Sequence, residues 1–195
     1  MVDRLGVERF ALIAHDFGGP VAAHLYAKAG HRITHLAVFP TNAFPDTPIP
    51  FPLSLVPKRG VGPLAQRILF SPWALRQLVR HGSGRPNPRP DPAPFVGDRV
   101  QAHAINYIFG ESLRHIDTLY TPVRAALARV SVPALVGWGD HDPLFSIEIG
   151  RRTAELIPTA RWRLYPGAGH FLPLERPDEL AADITTLLSE PAGRT

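Results

Sequence analysis

Residues 11–27, ALIAHDFGGPVAAHLYA, constrain the fold more tightly than any other stretch of the chain. An apolar run suited to a buried strand gives way abruptly to a helical pattern, and a carboxylate, Asp16, stands at the changeover. A strand that bends this sharply into a helix has room only for small side chains, and Ala14, Gly18 and Gly19 supply them around Asp16. Such a turn lifts the Asp16 side chain above the carboxyl end of a sheet and sets it near the backbone amides of a helix N-terminus, where a carboxylate stays ionised. The competing reading is that Asp16 only caps the helix that Pro20 helps to begin.

Two of the apolar runs, FALIA and ALVGW, are nearly continuous, as parallel strands covered on both faces require. The pattern predicts strands at Arg9 to Ala14, Ile33 to Phe39, Pro133 to Trp138 and Arg161 to Tyr165, and helices at Gly18 to Ala29, Phe145 to Ile157 and Pro177 to Leu188. Gly30 suits the stop of the first helix. Strands alternating with helices argue for crossover connections and a parallel α/β sheet. Between Pro40 and Pro94 lie 13 of the 22 prolines, so this middle region is an insertion of a different kind, since proline removes ladder donors and breaks helix interiors. Four short helices are expected across the middle block as far as residue 130, in LAQRILF, PWALRQLVR, VQAHAINYIF and VRAALARV. The organisation read from this is a first part of the core at 1–44, a helical lid at 45–130 and a second part of the core at 131–195.

Composition excludes several functions. Hydrophobic residues at 45% and charged residues at 19% describe a globular domain, and no apolar run approaches the roughly 18 residues of a membrane helix, so a cytoplasmic protein with no membrane partner is expected. The absence of cysteine removes disulfides, thiolate zinc sites and cysteine nucleophiles. Net charge is +4, but the densest basic cluster, RHGSGRPNPRPD at 80–91, lacks interleaved aromatics and reads as a solvated loop; no nucleic-acid partner is expected. The nine histidines show no H-E-x-x-H or similar spacing, so neither a metal nor any other cofactor is expected.

Topology brings further polar residues to the same sheet edge as Asp16. GWGDHDPLF follows the third predicted strand and carries Asp140 and Asp142; YPGAGHFLPLERP follows the fourth and carries His170. Open α/β sheets bind ligands at this edge, and the chain order of nucleophile, acid and histidine is that of one large superfamily. With AHDFGG, GDHDP and GAGHFLPLERP in place, the sequence resembles the α/β-hydrolases, in particular the branch with an aspartate nucleophile, the epoxide hydrolases and haloalkane dehalogenases. The fold this implies is a parallel-sheet α/β-hydrolase core, partial at about four strands, with a helical lid insertion.

The resemblance also implies roles. Asp16 would attack saturated carbon to give an alkyl ester, and His170, held by Asp142 rather than Asp140, would activate the water that cleaves it. The Phe17 N–H would be one oxyanion donor, with His15 packed beside the turn. Epoxide hydrolases donate protons to the opening oxygen from lid tyrosines, for which Tyr107 and Tyr120 are the candidates. Haloalkane dehalogenases often hold the halide with a tryptophan after the nucleophile; Phe17 stands there in this chain, leaving Trp73 as a possible replacement, and Asn42 as a further pocket residue. The expected partners are a small apolar organic substrate and water. The alternatives are another hydrolase activity, on ester or C–C bonds, and a non-catalytic truncated remnant. The superfamily carries several strands and an H-G-x-P-type loop ahead of the turn, whereas here that strand begins about nine residues in. Self-association through an open apolar sheet edge is therefore expected.

Overall fold

Four parallel strands form one sheet in the order β1-β2-β3-β4: β1 (Phe10–Ala14), β2 (Ile33–Val38), β3 (Ala134–Gly139) and β4 (Ala160–Tyr165). The structure is a computed structural model and describes residues 2–84 and 91–192. Parallel pairing sets Leu12 against Leu36, Val38 against Val136, and Trp138 against Leu164, which brings the four carboxyl ends to one edge.

The ALVGW run of β3 is continuous because both faces of the sheet are covered there; the FALIA run of the edge strand β1 is covered less than expected, with Ile13 51% exposed. Side chains alternate along a strand. Leu36, Val38, Val136 and Trp138 face a core shared with α1 (Gly18–Ala29), while Ala37, Phe39 and Leu135 face a second core on the opposite side. Gly150 on α7 (Ile147–Leu156) lies so close to the Trp138 ring that a Cβ there would overlap it. The second core is closed by α8 (Leu172–Glu175) and α9 (Pro177–Leu188) through Leu172, Leu180 and Leu187.

Between β2 and β3 the described residues form α2 (Gly62–Leu69), α3 (Pro72–His81), α4 (Ala93–Val96), α5 (Arg99–Arg114) and α6 (Ile116–Leu127). The first four bury a small core of their own, built on Val56, Ala65, Phe70, Leu75 and Val96. By contrast α6 packs on α1 and adds Tyr120, Val123, Ala126 and Leu127 to the main core.

Several boundaries differ from the sequence reading, for local reasons. The helix expected from Phe145 begins at Ile147, because the Leu144 and Phe145 N–H groups donate to the Asp142 carboxylate and the turn belongs to the loop. The helix expected from Val123 begins at Ile116 and carries Pro122 inside it. Proline removes one rung of the ladder on the exposed side, which the burial of Val123, Ala126 and Leu127 on the other side offsets. The helix expected over 100–109 extends to Arg99–Arg114, opened by an Asp98–Gln101 capping box. Gly30 does not turn left-handed: its φ is −55° and the chain passes into a 3-10 turn at Gly30–Arg32. Of the arginine-rich stretch at 80–91, Arg80 and His81 close α3 rather than lying in a loop, and residues 85–90 lie outside the described residues.

Candidate active site

The turn after β1 is held in an unfavourable conformation. Asp16 has φ 51°, the one positive value on a non-glycine residue among those described. Such backbone costs on the order of 1–3 kcal/mol and persists only where its surroundings impose it. Here the Asp16 N–H donates to the Pro40 carbonyl (2.8 Å), and the buried Thr41 hydroxyl donates to the Asp16 carbonyl (2.6 Å). Both partners sit just past the end of β2, so neighbouring strand ends clamp the turn. Gly19 is required for this, since a Cβ there would fall on the Thr41 side chain, whereas one on Gly18 would only touch Ala14 at 4.0 Å. Asp16 does not cap α1: Phe17 occupies the cap position and no side chain bonds to the free amides.

Three ionisable side chains meet above this edge. His170 Nδ1–H donates to Asp142 Oδ2 at 3.1 Å, and its Nε2 lies 3.8 Å from Asp16 Oδ1, a charge contact too long for a hydrogen bond. The His170 and Asp142 side chains are buried, while Asp16 keeps 36% of its side chain open. Asp140, the other acid of that loop, lies apart from His170. It accepts from the Gly167 N–H and from the His141 ring, joining the loops after β3 and β4.

Electrostatics follow from this packing. Burial disfavours charge on His170, but the bond to Asp142 and the nearby Asp16 outweigh it, and its pKa is pushed up to about 9. Burial likewise works against ionised Asp16, yet His170, His15 and the Phe17 N–H hold its carboxyl below the usual range. His15 is lowered by its burial and by the neighbouring His170. Its Nε2–H donates to the His170 carbonyl (2.8 Å), and the two rings lie 4.8 Å apart.

A cavity of about 850 Å³ opens above Asp16. Phe17, Asn42 and Tyr120 line it beside the three ionisable groups, and apolar side chains from α3 and α5, including Leu75, Leu78 and Phe109, form much of the remaining wall. Tyr120 is buried; this, together with the Asp16 charge, pushes its hydroxyl up to about 12 against the opposing pull of its bond to Asn42. Asn42 also accepts from the Phe44 N–H and the Thr47 hydroxyl, so it orders the loop as well as lining the pocket.

Two expected residues lie elsewhere. Trp73 is 71% exposed and Tyr107 is 61% exposed, and neither lines the cavity. Helical phase explains both. On α3 the cavity takes Ala74, Leu75, Leu78 and Val79, which turns Trp73 outward; on α5 it takes Ile105, Phe109 and Ser112, and Tyr107 stands about 200° around the helix from Ile105.

One residue that sequence reasoning missed is Glu175. Its buried carboxylate accepts from the N–H groups of Gly84 (3.1 Å), Gly169 (2.8 Å) and Phe171 (3.0 Å), while the His170 N–H donates to the Gly82 carbonyl (2.7 Å). The segment after α3 is thereby fastened to the loop that carries His170. The signal was present in GHFLPLERP, where an acid on the first turn after the histidine can bond back to the loop amides. Among the described residues no cluster of three or more metal-binding side chains occurs.

A parallel α/β sheet with a strained acidic turn, an acid and a histidine at successive strand ends defines a hydrolase-type architecture. The profile of the alpha/beta hydrolase family matches residues 1–183, and the chain belongs to that family. Among curated proteins it is 25% identical over 201 residues to cis-3-alkyl-4-alkyloxetan-2-one decarboxylase of Shewanella oneidensis, a match covering 97% of this chain and 63% of that protein. It is 27% identical over 214 residues to epoxide hydrolase 3 of Xenopus tropicalis, covering 97% of this chain and 55% of that one. The chain thus spans about three fifths of the length of these relatives. Among solved structures, a putative ancestral haloalkane dehalogenase superposes with a TM-score of 0.73 at 21% identity, covering 97% of this chain and 72% of that one. A probable hydrolytic enzyme from Pseudomonas aeruginosa gives 0.70 at 21% identity, over 97% and 66%. At these identities the structures support the shared fold.

Proposed function

We propose that this chain carries the chemistry of a hydrolase that opens epoxides through an ester on Asp16. The observation that carries the reading is the geometry at the turn: an ionised carboxylate at φ 51°, open to an apolar cavity, with His170 3.8 Å away and Asp142 behind it. Asp16 attacks a ring carbon, the C–O bond breaks, and the Tyr120 hydroxyl gives its proton to the leaving oxygen. That hydroxyl is suited to the task because its raised pKa keeps it protonated until the alkoxide appears.

Ester formation also prepares the second step. Alkylation removes the Asp16 charge that helps hold His170 protonated, so its pKa falls and it gives its proton to the Tyr120 phenolate left by the first step. Neutral His170 then takes a proton from water, whose oxygen adds to the Asp16 carboxyl carbon. The Phe17 N–H supports the resulting oxyanion. Collapse expels the diol oxygen, which takes the proton of the new Asp16 carboxyl, and leaves the Asp16 carboxylate beside a protonated His170, as at the start.

An oxygen leaving group is favoured over a halide by the tryptophans. Trp73 faces solvent, and the buried Trp138 donates its indole N–H to the Phe145 carbonyl (3.0 Å) rather than into the cavity. The lid assigned to 45–130 is, on this reading, the roof of α2 to α5 over the cavity. Replacing His170 by glutamine and adding a long-chain terminal epoxide tests the scheme. Mass spectrometry should find the alkyl adduct on the Asp16 peptide, and turnover at the unaltered rate without an adduct would remove His170 from its role.

A further inference from the structure

The outward surface of α2 and α3 departs from what a solvated pair of helices shows. A surface helix turns its apolar stripe inward and its polar residues outward. The inner side of α2 is met by Gly62, Ala65 and Leu69, yet its outer stripe is also apolar: Val61, Leu64 and Ile68 follow one another at helical spacing, the last two each 59% exposed. The adjoining α3 presents Trp73, Arg76 and Arg80 outward in the same spacing. From Thr47 to Gly84 the chain holds no aspartate or glutamate but five cationic side chains, Lys58, Arg59, Arg67, Arg76 and Arg80, all exposed. The whole chain is only +4, so the remainder is close to neutral and the positive charge is concentrated in this segment. On the neighbouring α5, Glu111 is engaged by Arg114 at 2.8 Å and does not offset it.

We infer that the outer face of α2 and α3 docks on an anionic lipid surface, with Val61, Leu64, Ile68 and Trp73 entering the acyl boundary and the surrounding lysine and arginines at the headgroups. The occupant follows from the chemistry. An exposed aliphatic stripe gains nothing from a nucleic acid, which offers phosphates and base edges, but it gains from hydrocarbon, while the cationic rim gains from anionic headgroups. Among the described residues the longest helix has 16 residues and none is long and apolar enough to cross a bilayer, so the contact inferred is interfacial. The placement has a use: the opposite faces of these helices, through Leu69, Leu75 and Leu78, line the apolar cavity, so a lipid-dissolved substrate would meet the roof of the site first. This inference does not depend on the reaction proposed above.

Vesicle flotation tests it, because aggregated protein sinks while bound protein rises. The 195-residue chain should float with phosphatidylcholine vesicles containing phosphatidylglycerol, bind several-fold less to phosphatidylcholine alone, and be released by added salt. Floating protein should show a blue-shifted tryptophan emission that Trp73→Phe removes, since Trp138 is already fully buried and Trp162 packs on β4 against the main core. The double substitution Leu64→Glu with Ile68→Glu, on exposed positions where circular dichroism should stay unchanged, should lower binding at least about tenfold. No flotation, equal binding to neutral vesicles, binding indifferent to the double substitution, or association with duplex DNA in place of vesicles would each overturn the inference.

Discussion

The loops at the sheet edge and the helices above them are built by different means. At the edge, hydrogen bonds between segments far apart in sequence tie Asp16 to Thr41, His170 to Asp142 and Glu175 to Gly84. The helices from α2 to α5 meet the cavity mostly with aliphatic and aromatic side chains, which fill space and impose little direction. The difference teaches where each property resides. On the proposed reading, chemistry depends on a few positions fixed by a bonded network, and substrate choice on a surface that can be reshaped residue by residue.

Breaking the edge should have the largest consequences. Asp16→Ala removes the proposed nucleophile and should lower turnover of an epoxide roughly a thousandfold or more, measured against background hydrolysis. Tyr120→Phe keeps the wall of the cavity but removes the proton donor, and should lower the rate of ester formation about a hundredfold while leaving ester hydrolysis nearly unchanged in single-turnover kinetics. Glu175→Ala leaves three backbone N–H groups without their carboxylate. That substitution should cost roughly 3 kcal/mol and lower Tm by about 10 °C in thermal melts, with turnover falling as the His170 loop loosens.

The pH dependence of stability sharpens the same contrast, because the raised histidine that titrates above neutral pH, His170, lies at the edge. His170 has its pKa raised from 6.5 to about 9, so its stabilising contribution is full below pH 6.5 and is lost as pH rises towards 9. Asp16 is lowered, so its contribution is present above its ordinary value of 3.8 and is lost on acidification. Denaturant midpoints should therefore fall between pH 6.5 and 9 in the unaltered protein and stay flatter in His170→Gln. Changing the roof should do least: Leu78→Ala should raise KM for a long-chain epoxide by up to about tenfold with little change in kcat.

Much of the edge was legible because it is written locally. Continuous apolar runs marked the strands, and the small residues around Asp16 marked the turn. Chain order placed Asp142 and His170 on neighbouring loops. What escaped the sequence depends on contacts across the fold. Thr41 is one polar residue in a proline-rich stretch, and only the parallel pairing of β1 with β2 brings its hydroxyl to the Asp16 carbonyl. Glu175 looks like the start of a surface helix until the segment at Gly82–Gly84 is laid over it. Trp73 and Tyr107 were misplaced because composition shows which residues a helix contains but not which side of it meets the cavity. The apolar outer stripe of α2 was invisible for the same reason, and a search for membrane-spanning runs could not reveal a face that would rest on a bilayer.

The account rests on the ester at Asp16, and the oxygen that reaches the product tests it directly. In a single turnover with excess enzyme in heavy-oxygen water, water attacks the Asp16 carboxyl carbon, so the label should appear in the Asp16 carboxylate while the first diol released carries an unlabelled oxygen from the protein. Label found wholly in the diol, with none in the Asp16 peptide, would mean that water attacks the substrate itself, and would contradict the proposed mechanism.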